Sequence, residues 1–175
     1  MLHSEYMAAA QRAIGYVKSQ VKYRGLNTGG GWIRNPADVP QKFAARIESI
    51  REGMRRNAAH TGGFVPTVYI DELARLAVDT QTGNCSELSA IAFNYLKSQG
   101  IGPIDYFGVF RGSWNHAFVV LNRDDSIPVG DFARWSEYAV VCDPLYDRSA
   151  IAGMLAPWYP GALPYRTRDV VYRIA

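Results

Sequence analysis

The chain turns on one stretch, Thr82-Gly-Asn-Cys85-Ser-Glu-Leu-Ser-Ala-Ile-Ala-Phe-Asn-Tyr-Leu-Lys-Ser-Gln-Gly100. Leu88, Ile91, Ala92, Tyr95 and Leu96 recur at the spacing of one apolar helical face, so the stretch predicts a helix. Asn84 stands where a cap belongs, with Glu87 placed to complete a capping box. Gly100 suits the left-handed residue just beyond the end. Cys85 then falls in the first turn, where unpaired N–H groups and the positive end of the helix dipole favour a thiolate. A thiolate so placed is a nucleophile in need of a base.

Downstream of this helix the pattern becomes aromatic and β-branched. Ile104–Phe110, His116–Leu121 and Ala139–Asp143 read as three strands, and Val170–Ile174 as a fourth. Five residues between Phe110 and His116 cannot hold a crossover helix, so the sheet is expected to be antiparallel. Between the second and third strands lies an insertion over 122–138, and residues 145–169 show no clear period and read as a long ordered loop.

Upstream, residues 4–22 predict a helix whose apolar stripe is Tyr6, Ala9, Ala10, Ala13, Ile14, Val17 and Val21. Asn27-Thr-Gly-Gly-Gly31 breaks the chain, but no Gly-Lys-Ser/Thr follows, so it reads as a surface loop and not a phosphate loop. After a turn over Asn35–Pro40, a second helix carries Phe43, Ile47, Ile50 and Met54 on one face and Lys42, Arg46, Arg51, Arg55 and Arg56 on the other. Thr61-Gly62-Gly63 ends it, and a shorter third helix is expected over Val68–Val78. The fold class is therefore α+β: one domain over 1–175, with a helical N-terminal part (1–78) and a core (79–175) in which the cysteine helix packs on an antiparallel sheet.

The 175 residues, 48% hydrophobic and 20% charged, suffice for a real core. A net charge of +3 from scattered basic residues gives no reason to expect nucleic acid as a partner. No apolar run has membrane-spanning length, and the first dozen residues lack the basic start and apolar core of a signal peptide. Two cysteines are too few for a disulfide scaffold, so the chain reads as made in a reducing cytoplasm, with specialised export into a target cell still open to it.

Pairing the second and third strands brings the chemistry together. If Leu121 lies opposite Tyr138, counting back along both strands sets His116 opposite Asp143, their Cβ atoms about 5 Å apart on one face. Asp143 would then hold the imidazole of His116, and the imidazole would serve Cys85. Cys142 falls on the other face beside Ala117 as a small buried hydrophobe. The expected oxyanion donors are the Cys85 N–H and the Gln81 side-chain amide, with Asn84, Trp114 and Asn115 lining a substrate cleft. Asp131 is a rival third member. No pair among Cys85, His116 and Asp143 has metal-ligand spacing, so neither a metal nor another cofactor is expected.

Gly83-Asn84-Cys85 at a helix start, Asn115-His116-Ala-Phe-Val-Val at a strand start and Val140-Val-Cys-Asp143-Pro144 at a strand end resemble the transglutaminase-like division of the papain-like cysteine hydrolases. The resemblance covers roughly residues 79–147 and is nearest in pattern to bacterial effector or toxin domains that deamidate glutamine in target proteins. It implies a papain-like core, a Cys85–His116–Asp143 triad, a protein substrate presenting glutamine, and a virulence role in which a neutralising partner protects the producer. The same triad serves transglutaminases, cysteine proteases and acyl-coenzyme A transferases. A different class of function also fits the residues: an inactive binding module whose basic helix docks an acidic partner.

Overall fold

The computed structural model describes residues 2–25, 52, 65–111, 114–135 and 138–175. Helix α1 (His3–Gln20) opens the chain and leads into a two-residue strand, β1 (Tyr23–Arg24). Every residue of its expected stripe is buried, including Val21 just past its end. The glycine loop after Gly25, the Asn35–Pro40 turn, the basic second helix and the Thr61–Gly63 break fall on residues outside the described ones.

Helix α2 (Pro66–Thr80) runs two residues further at each end than expected. Pro66 sits at its first position, where the missing N–H would have had no intrahelical partner. Gln81 adopts a left-handed conformation (φ 55°) and turns the chain into β2 (Thr82–Gly83), which pairs in parallel with β1. Pairs this short carry almost no period, and the sequence did not reveal them. Helix α3 (Cys85–Ser98) follows, and Gly100 is left-handed (φ 67°), as its place past the helix end required.

Strands β3 (Ile104–Arg111), β4 (Trp114–Leu121), β5 (Val140–Asp143), β6 (Arg148–Ile151) and β7 (Val170–Ile174) form an antiparallel sheet in the order β6-β5-β4-β3-β7. Strand β6 is the correction to the four strands expected. Arg148-Ser-Ala-Ile151 lies at a sheet edge and shows no polar/apolar alternation, so periodicity cannot find it. A tight turn makes it: Asp147 is left-handed (φ 54°) and returns the chain from β5.

The sheet is buried on both faces. Helices α1 and α3 cover one, packing over Ala117, Val119, Leu121, Val140 and Cys142. The other face, with Phe107, Phe118, Val120 and Val141, lies under residues 127–135 of the insertion and residues of the 145–169 segment. That segment holds a short helix, α4 (Leu155–Trp158), and several 3-10 turns, so it is structured cover for the sheet and not one long loop. Trp135 is its anchor: fully buried, it donates its indole N–H to the carbonyls of Val129 (3.1 Å) and Pro128 (3.3 Å). Each buried Val, Leu, Ile or Phe here contributes roughly 1.5–3 kcal/mol.

The β4–β5 register differs from expectation by two residues. Leu121 pairs with Val140 and Val119 with Cys142, so the same count sets Asp143 opposite Phe118 and not His116. Alternation cannot separate registers two apart, because both send the same side chains to the same faces. Turn length decides, and the insertion holds the chain through Ala139 before pairing begins. Cys142 stays on the expected face, across from Val119 in place of Ala117, fully buried with its thiol toward the Ala10 carbonyl (3.6 Å).

Candidate active site

The first turn of α3 is held from several sides. Gly83 is needed just before it, because a Cβ there would lie 3.1 Å from both Glu87 Cβ and Leu88 Cδ2. The Asn84 N–H donates to Glu87 Oε2 at 2.9 Å, which is one half of the expected capping box. The other half is not formed, and Asn84 Oδ1 is buried without a hydrogen-bond partner among the described residues. Tyr106 of β3 donates its hydroxyl to the Ser86 carbonyl (2.9 Å), and Ser89 donates to the Ala117 carbonyl of β4 (3.0 Å). These bonds fix the helix tip against the strand that carries His116.

His116 and Asp143 meet as the sequence implied, although diagonally and not as a directly opposed pair. The imidazole Nε2 lies 2.7 Å from Asp143 Oδ2, with both side chains buried. By alternation the two belong to the sheet face that carries Phe118, while Cys85 belongs to the helical layer. They join because the β4–β5 ladder ends at Val119–Cys142, leaving His116 beyond the last paired residues of β5. There Cys85 comes close enough to the imidazole to raise its pKa, while the ring's Nε2 is held by Asp143. Burial works against the imidazolium, but the bonds to Asp143 and Cys85 outweigh it and hold the His116 pKa up at about 9. At neutral pH the ring is therefore charged, a proton donor beside the sulfur. Cys85 is buried, with 6% of the residue exposed.

Asp143 has a full set of partners. Its Oδ1 accepts from the Leu145 N–H (3.0 Å) and the Tyr146 N–H (3.4 Å), and its Oδ2 accepts from His116 and from the Tyr159 hydroxyl. Tyr159 was not singled out from sequence. It lies in the 145–169 segment, where no period announces a buried side chain, and only the local density of aromatics hinted at a role. Its ring stands 4.9 Å from the imidazole and 5.7 Å from Phe118. Burial first, and then the neighbouring Asp143 charge, push its phenol pKa far up, so it remains a donor at any working pH. Tyr146 contacts the imidazole from another side at 5.5 Å.

Other expected residues stand elsewhere. The Gln81 amide donates to the carbonyls of Gln20 (2.9 Å) and Val78 (2.8 Å), which spends both its protons tying the ends of α1 and α2 together. It therefore has no proton for an oxyanion. The Cys85 N–H, at the first position of α3, has no acceptor among the described residues. Asn115 is exposed beside His116, and the side chain of Trp114 lies outside the described residues. Asp131 is turned to Arg134 (3.1 Å). Cys142 has its thiol pKa pushed up by complete burial and, secondarily, by Asp143, which makes it inert at neutral pH.

Among the described residues no cluster of His, Cys, Asp and Glu is arranged to hold a metal, and no helix is long and apolar enough to cross a membrane. No family model, curated protein or solved structure matches the chain.

Proposed function

We propose that this chain is a thiol acyl-transfer enzyme that deamidates glutamine side chains of a target protein. The observation that supports this reading is the convergence of Cys85, His116 and Asp143 from one helix tip and two strands, with the imidazole hydrogen-bonded to Asp143 and Cys85 near it. The Cys85 sulfur adds to the carboxamide carbon, and the oxyanion is received by the Cys85 N–H. Collapse breaks the C–N bond, and ammonia leaves with the proton of His116. His116 then takes a proton from water, the hydroxide cleaves the thioester, and carboxylate and thiolate are released. Asp143 keeps the ring aimed and its charged form favoured throughout. The choice of glutamine rests on the resemblance to transglutaminase-like effector domains drawn from the three sequence motifs.

The test is mass analysis of candidate target proteins incubated with the wild type and with Cys85→Ala. Deamidation adds about one dalton per site, through an acyl-enzyme that Cys85→Ala cannot form. Cross-linked products would assign the same triad to transglutamination, and shortened chains to proteolysis. Equal cellular effect from wild type and Cys85→Ala would favour the binding module and refute the enzyme.

A further inference from the structure

Beside the triad, at the edge of the sheet, the Arg148 guanidinium is clamped between two aromatic rings. Its central carbon lies 5.1 Å from the Tyr146 ring centroid and 5.4 Å from that of Trp158. Tyr146 also touches the imidazole of His116, and Trp158 precedes Tyr159, so one ring separates Arg148 from the catalytic proton donor. In the sheet, Arg148 pairs with Asp143 itself, yet no carboxylate among the described residues forms an ion pair with it. Asp147, next in the chain, is already bridged to Lys18 (2.9 Å) and Arg24 (2.7 Å). Arg148 and Lys18 both line a cleft between α1 and β6, with Asp147 as its one acidic residue, so the cleft carries net positive charge. Rings against a guanidinium occupy its faces and leave its N–H edge for a planar anion.

We infer that Arg148 is a substrate-binding residue: the cleft takes an acidic side chain that the target protein carries close to the reacting glutamine. The inference rests on the proposed thiol acyl-transfer function and adds a substrate preference to it. A carboxylate offers the fork geometry that a guanidinium binds with two parallel hydrogen bonds, and the nearby Lys18 adds attraction over a longer range.

Two alkylating reagents differing in one group test it: N-iodoacetyl-glutamate α-amide, which carries a side-chain carboxylate, and N-iodoacetyl-glutamine α-amide, its neutral isostere. The readout is the ratio of their rates at Cys85, localised by peptide mass spectrometry so that Cys142 does not contribute. The acidic reagent should react faster with wild type, and Arg148→Met, which keeps the apolar stem between the rings, should lower the ratio by roughly fivefold. Arg148→Lys should restore part of it, and high salt should compress it in wild type. A ratio unchanged by Arg148→Met, with Cys85 still reacting, overturns the acidic-substrate inference and leaves the nucleophile standing. If Cys85 in wild type reacts with neither reagent, the acyl-transfer function falls and the inference falls with it.

Discussion

Replacing Tyr159 by Phe separates the hydroxyl that touches the triad from the ring that packs beside it. The ring contacts with His116 and Phe118 survive, and only the donor to Asp143 Oδ2 is lost. Hydrogen bonds to a charged group are worth about 1.5–3 kcal/mol, so the folded state should lose stability of that order. The effect on His116 has the opposite sense. Three donors remain on Asp143, and the one sharing an oxygen with the removed hydroxyl is His116 Nε2. A carboxylate with one donor fewer holds more charge for the imidazolium. If half to one of the lost kcal/mol passes to that partner, the His116 pKa climbs by about 0.4–0.7 unit, since one unit equals 1.36 kcal/mol.

The direction shows in two ways. A raised histidine pKa contributes stability that is complete below the unfolded value near 6.5 and is lost as pH rises through the folded value of about 9. In Tyr159→Phe that loss should begin at higher pH, and so should the alkaline fall in amide hydrolysis, which needs the imidazolium to protonate ammonia. The chain has three histidines, so an NMR titration of the imidazole carbon protons resolves His116 from His3 and His60. A His116 midpoint that stays put or moves down in Tyr159→Phe would refute the idea that this phenol draws charge from Asp143.

Gln81→Ala removes two hydrogen bonds between helix ends, and should lower stability by about 1–2 kcal/mol in a denaturant titration while leaving the rate of Cys85 acylation unchanged. A large drop in acylation would return Gln81 to the oxyanion site. Gly83→Ala places a methyl 3.1 Å from Glu87 Cβ and Leu88 Cδ2; thermal unfolding should report a loss of about 1–3 kcal/mol and reduced Cys85 alkylation from a displaced helix tip. Cys142→Ala trades a buried thiol for a smaller apolar group, and should leave alkylation by iodoacetamide below pH 8 untouched, because all of that reactivity belongs to Cys85. Loss of label in this variant would make Cys142 the reactive thiol.

The parts of this molecule that could be read from sequence are those with a period or a marked composition. Tyr6 through Val21 and Leu88 through Leu96 repeat at helical spacing and pack into the core, whereas the strands Ile104–Phe110 and His116–Leu121 are announced by aromatic and β-branched composition and contribute to both core clusters. His116 and Asp143 could be paired from sequence because strand alternation survives a register error of two. The same tolerance hid the true register, in which Asp143 lies diagonally from His116. What sequence could not supply is what turns and tertiary contacts decide. Strand β6 exists because Asp147 turns left-handed, Gln81 is spent because two helix ends converge on it, and Tyr159 reaches Asp143 from a segment with no period at all. The consequence for the candidate site is specific. Cys85 and His116 come from regular elements that local pattern dictates, whereas the groups that surround them, Tyr146, Arg148 and Tyr159, come from the return of the chain after β5. Substitutions in that return therefore reach Asp143 directly, because Leu145, Tyr146 and Tyr159 all donate hydrogen bonds to its carboxylate.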